Sequence, residues 1–109
     1  MVLAQWKGVI EMAMLERVNT TFDMDFAIAD RFGVNAVKDT FNRAFKEWKS
    51  DARYLTELVM VLNHRCWYWY DEGRMALSKV YSDLFYKAQG YAYDHLKGDE
   101  LAFFLEVTD

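Results

Sequence analysis

The sequence predicts an all-α protein, a compact single-domain bundle of about five to six helices spanning residues 1–109. Three observations carry that expectation. Hydrophobic residues recur at steps of three and four almost throughout, the spacing of one helix face. Proline is absent, where average usage of about 5% would give a β-rich or loop-rich chain several for its turns and edges. Glycines stand singly between the periodic runs, as helix punctuation does.

The elements follow in order. Over 3–18, Leu3, Trp6, Ile10, Met14, Leu15 and Val18 keep the helical rhythm until Asn19-Thr20-Thr21 breaks it. Asp23 is positioned to cap a short helix carrying Phe26, Ala29 and Phe32, which Gly33 stops. Asn35 can cap the next, where Val37, Phe41, Ala44, Phe45 and Trp48 share a face until Ser50-Asp51. From about 52 to 70, Leu55, Leu58, Val59, Leu62, Cys66 and Trp69 form one stripe, and Asp71-Glu72-Gly73 makes a tight reversal. The run from 74 to 97 is the most regular, with Leu77, Val80, Tyr81, Leu84, Ala88, Tyr91, Ala92 and His95 in register. Gly90 inside it costs about 0.5–1 kcal/mol relative to alanine, to be offset by close helix approach or a kink, unless the helix ends there. Gly98 ends this helix, and Asp99 can cap a last one whose Leu101, Phe104 and Leu105 pack back.

At 109 residues, 53% hydrophobic and 28% charged, the chain is globular and sized for one core. The single Cys66 excludes an internal disulfide and cannot alone make a structural zinc site. No apolar run approaches the ~18 residues of a membrane span, and no signal layout opens the chain, so a cytoplasmic protein is expected.

Net charge is −4, from 13 basic and 17 acidic residues. The balance is uneven. Residues 34–53 hold five bases (Lys38, Arg43, Lys46, Lys49, Arg53) and three acids (Asp39, Glu47, Asp51), a local +2, whereas 71–109 hold eight acids and four bases, a local −4. An acidic chain makes a poor nucleic-acid binder, since the phosphate backbone selects basic domains.

No constellation points to an enzyme. His64 and Cys66 are two apart on a helix and point about 200° away from each other, so the imidazole cannot activate that thiol. Cys66 shares an apolar stripe, where a cysteine is inert. Glu-x-x-His pairs and phosphate-binding glycine loops are absent, so no metal and no cofactor are expected. Paired carboxylates such as Asp23 with Asp25 sit at helix starts, where capping accounts for them.

Residues 26–48 resemble a helix-turn-helix, with an alanine four before the turn glycine and a second helix presenting Lys38, Asn42, Arg43 and Lys46. Asp39 and Asn42 depart from that pattern, falling where a recognition helix should be apolar. A DNA-binding regulator is therefore the alternative rather than the leading reading.

The aromatic supply is the feature above background. Nineteen residues are Phe, Trp or Tyr, and eleven of them fall between 64 and 104. Trp67-Tyr68-Trp69-Tyr70 occupies successive helical positions covering most of the circumference, so some of these rings must face away from the core. Tyr86 and Tyr93 fall off the inner stripe of their helix. With Asp71, Glu72, Asp83 and Asp94 as an acidic rim, Tyr68, Tyr86 and Tyr93 outline a protein-binding face, for self-association as a homodimer or for a basic protein partner.

From about residue 23 to the end, Asp25-Phe-Ala-Ile-Ala-Asp-Arg-Phe-Gly33, Lys38-Asp-Thr-Phe-Asn-Arg-Ala-Phe-Lys-Glu-Trp48, Leu55-Thr-Glu-Leu-Val-Met-Val-Leu-Asn-His64 and Leu96-Lys-Gly-Asp-Glu-Leu101 resemble small uncharacterised helical accessory proteins of Gram-positive conjugative and phage elements. Accessory proteins of such elements include anti-CRISPR inhibitors of the type II CRISPR nuclease. The resemblance brings no assigned functional residues with it. It implies a non-enzymatic protein that acts by occluding a partner's surface, with a host defence nuclease as the partner.

Overall fold

The computed structural model describes residues 22–108, so the expected helix over 3–18 lies outside the described residues. Within them the chain forms five helices and no strand: α1 (Met24–Phe32), α2 (Val34–Trp48), α3 (Ala52–Asp71), α4 (Met75–His95) and α5 (Gly98–Thr108). The all-α bundle expected from periodicity is present.

The first two helices are joined by Gly33 alone, at φ 105° and ψ −172°. Only glycine adopts that backbone region readily, because a Cβ there meets neighbouring backbone. Gly33 N–H closes α1 on Ala29 O, and Gly33 O accepts from Val37 N–H to open α2. Asn35 therefore lies inside the first turn of α2 and is not its cap. Asp23 does not cap α1 either. Its backbone is already helical (φ −63°, ψ −37°) and its carboxylate makes no cap bond, being engaged elsewhere in the fold. The side-chain cap that does form is Asp51, whose Oδ1 accepts from the backbone N–H groups of Arg53 and Tyr54 and starts α3.

Helix α3 is the centre of the bundle. Leu55, Leu58, Val59 and Leu62 are fully buried as their stripe predicts, and Thr56 and Val61 on its flanks are buried too. It returns into α4 through Glu72, Gly73 and Arg74. Gly73, at φ 76°, takes the left-handed conformation expected of it. The backbone N–H groups of Glu72, Gly73 and Arg74 satisfy the last carbonyls of α3 at Tyr68, Tyr70 and Trp69.

Helix α4 buries Leu77, Val80, Tyr81, Leu84, Ala88 and Ala92 and packs most extensively on α3, where Ser78 Oγ donates to Cys66 O at 2.9 Å across the pair. Two members of its expected inner stripe lie further out. Tyr91 is half-buried and His95 is exposed, stacked on the Tyr91 ring at 3.9 Å. The helix runs unbroken through Gly90, and nothing lies within 4 Å of where a Cβ would stand there. Neither an end to the helix nor close helix packing accounts for this glycine.

The chain leaves α4 at Leu96, which is extended, and Gly98 (φ 59°) is the first residue of α5 rather than the end of α4. Phe104 and Val107 are the residues α5 buries, and Leu101 is half-buried; Leu105, expected to pack back, is exposed. Leu101, Phe104 and Val107 recur at steps of three, so the inner face of α5 follows that row and leaves Leu105 outside it. No described helix is long and apolar enough to cross a membrane.

Candidate functional site

Among the described residues lies a buried polar cluster that the hydrophobic pattern conceals. Asp30 follows buried Phe26 by four residues, so it shares the inward face of α1. Arg65 follows Leu58 by seven and Leu62 by three, which puts it on the core stripe of α3. The two meet as a buried ion pair through Arg65 Nη2 and Asp30 Oδ2.

Three further groups complete the cluster. Tyr81 O–H from α4 donates to Asp30 Oδ1, and Trp69 Nε1–H donates to Oδ2 at 2.9 Å. Arg65 Nη1–H donates to Asp23 Oδ1 at 2.6 Å, and its Nε–H reaches Tyr81 Oη at 3.3 Å. A buried carboxylate is stable only where such donors replace its lost hydration.

These contacts shift the ionisation of Tyr81 and Arg65. Burial raises the Tyr81 phenol above its ordinary pKa, and its hydrogen bond to Asp30 together with the charge of that carboxylate raises it further. Burial alone would weaken the hold of Arg65 on its proton, but the bond to Asp30 and the nearby negative charge reverse that effect, leaving the guanidinium protonated above its usual range.

Outside the cluster lies a cleft of about 660 Å³ lined by Asp23, Ala27, Asp30, Arg31, His64, Arg65, Tyr68, Trp69 and Arg74. It opens between α1 and the C-terminal end of α3. Arg74 lies over the Trp69 ring, 5.5 Å from its centroid.

All seven residues expected at a protein-binding face are exposed, but they do not form one patch. Tyr68 turns toward α1 and lines the cleft. Asp71 and Glu72 stand at the reversal between α3 and α4, beside exposed Trp67, Tyr70 and Met75. Asp83, Tyr86, Tyr93 and Asp94 lie along the outer face of α4, within an arc of about 100° at helical spacing. Gly90 sits exposed between Tyr86 and Tyr93 on that arc. Tyr93 keeps one edge against Phe104, at 5.8 Å between centroids, so part of its surface belongs to the core.

Lys38, Asn42, Arg43 and Lys46 are all exposed on α2. Asp39 is exposed with them, and the helix packs instead on Val37, Thr40 and Phe41. The one-residue connection at Gly33 is shorter than the three- or four-residue turn of a DNA-reading helix-turn-helix.

Cys66 is half-buried, with its Sγ 3.7 Å from Ser78 Oγ. His64 lines the cleft, and His95 is bonded through Nδ1 to Tyr91 O. No group of three or more His, Cys, Asp or Glu side chains gathers in metal-binding geometry among the described residues.

Comparison with protein-family models, with curated proteins and with solved structures finds no match.

Proposed function

We propose that this chain is a non-enzymatic protein-binding module that docks through the exposed rings of the α3–α4 hairpin. The observation that carries the reading is the set of large apolar side chains left open there. Trp67 is 58% exposed, Tyr70 54%, Met75 53% and Tyr86 65%. Rings of this kind are the anchors of protein interfaces, and desolvating one or two supplies most of the affinity of a contact. Asp71 and Glu72 beside Trp67 and Tyr70 supply an acidic edge that favours a basic partner.

On the resemblance to mobile-element accessory proteins, that partner is a host defence nuclease of the type II CRISPR class, inhibited by occlusion of its basic nucleic-acid channel. A second copy of the chain is the competing occupant. The exposed bases of α2 do not favour a DNA-reading function, since Asp39 and Glu47 share their helix and the turn before it is too short.

The test has two arms. Added to a type II CRISPR nuclease, the protein is expected to slow target cleavage, and a variant with Asp71, Glu72, Asp83 and Asp94 reversed to lysine should not; cleavage unaffected by the parent protein rejects that partner. The docking surface itself is tested by affinity capture from nuclease-treated host lysate, comparing the parent with Trp67→Ser and Tyr86→Ser. Identical captured proteins in all three would reject the hairpin as the binding face. No mobility shift of duplex DNA is expected at low salt.

A further inference from the structure

We propose that the cleft between α1 and the C-terminal end of α3 binds a small organic oxyanion, whose phosphate or carboxylate group is held by Arg31 and Arg74. This inference does not rest on the docking surface of the hairpin, which uses other side chains.

The first argument is electrostatic. Two carboxylates line the cleft, Asp23 and Asp30. Both are paired with Arg65, and Asp30 also takes the Trp69 and Tyr81 donors. Two acids against Arg31, Arg65 and Arg74 leave the lining at +1, in a chain whose net charge is −4. Neither Arg31 nor Arg74 forms an ion pair with a described carboxylate, and this includes Asp71 and Glu72 next to Arg74.

The second argument is geometric. The Trp69 indole is held in place by its bond to Asp30, and Arg74 lies over its ring. A guanidinium held over an aromatic face keeps N–H donors free to grip an oxyanion in bidentate fashion. Arg31 lines the same cleft from α1, and His64 lines it from α3.

The third is size. A volume of about 660 Å³ lies within the range of roughly 300–1,000 Å³ typical of small-molecule sites and far exceeds a bare phosphate. Tyr68, Trp69 and Ala27 offer apolar wall for the organic body carrying the charge.

The test uses the full chain with pyrophosphate and with citrate, each at constant ionic strength, followed by calorimetry and by the NMR signal of the Trp69 indole N–H. Saturable binding that moves this signal is expected. Pyrophosphate acting alone assigns a phosphate ligand, and citrate acting alone assigns a carboxylate. Arg31→Gln and Arg74→Gln should each weaken binding by about tenfold or more, the value of a charge-assisted hydrogen bond. Lys79→Gln, on the outer face of α4, should leave it unchanged. Arg31 is exposed and forms no ion pair with a described carboxylate, so its variant reads binding without breaking a salt bridge of the fold. The proposal is overturned if neither anion binds at millimolar concentration, or if both arginine variants bind as the parent does.

Discussion

Asp30 and Arg65, thirty-five positions apart in sequence, close a buried ion pair that fastens α1 to the central helix of the bundle. Because Tyr81 donates to the same carboxylate, a single aspartate joins three helices. Its removal leaves a guanidinium in the interior with Asp23 as its remaining carboxylate and Tyr81 Oη as its neutral acceptor.

Replacement of Asp30 by alanine should therefore cost about 3–5 kcal/mol, the range for breaking one side of a buried pair. Urea denaturation followed by circular dichroism measures it. Removing both charges in Asp30→Leu with Arg65→Met should recover part of that loss. A double variant less stable than Asp30→Ala would show that the pair does more than neutralise itself.

The Tyr81 phenol carries a pH signature. Its pKa is raised in the fold by burial and by Asp30, so above about pH 10 the unfolded chain loses a proton that the folded chain keeps. The folded state then binds more protons, and stability falls as pH rises. For this one group the slope approaches ~1.4 kcal/mol per pH unit, while below pH 10 the contribution is fully present. Tyr81→Phe lacks this component. The stability gap between parent and variant should narrow from about pH 9.5 to about pH 11 in denaturation curves. Ultraviolet titration, compared between the parent and Tyr81→Phe, should find the Tyr81 phenol protonated until the protein unfolds.

The glycines divide by backbone. Gly33→Ala and Gly73→Ala place a Cβ at φ 105° and 76° and should each destabilise by about 1–3 kcal/mol. Gly90→Ala enters open space in the middle of a continuous helix, and should stabilise by about 0.4–1 kcal/mol. Thermal midpoints of the three variants give the comparison. A destabilised Gly90→Ala would mean that the backbone there is held away from helical geometry.

Trp67→Ser and Tyr86→Ser remove side chains that stand largely in solvent. Each should shift stability by no more than about 0.5 kcal/mol, measured by the same urea curves. A larger loss in either would move that ring from the docking surface into the core.

Most of the fold is legible in the sequence because helix periodicity and burial report the same thing. Leu55, Leu58 and Leu62 are spaced for one face of α3 and are buried on it. Boundaries are less legible where a cap residue has a competing use. Asp23 looks like an N-cap, yet its carboxylate is spent on Arg65. The cluster itself was hidden for a related reason. Pattern reading follows apolar positions, and Asp30 and Arg65 interrupt two apolar stripes, so each passes for a surface charge until the helices are docked. The readable signal was a pair of opposite charges at inward registers of two helices. Exposure of Tyr86 and Tyr93 follows from their register, whereas the turn of Tyr68 toward α1 depends on tertiary packing that no local spacing encodes.

The short reversal at Gly73 also bears on the order in which the molecule assembles. The helices on either side of it can find each other by closing only a few residues of chain, at small entropic cost. Asp30 and Tyr81 must instead be brought together from fifty-one positions apart. The hairpin is thus the natural nucleus, with α1 latching onto it late. Damage to the latch should then quicken unfolding and leave the folding rate nearly unchanged.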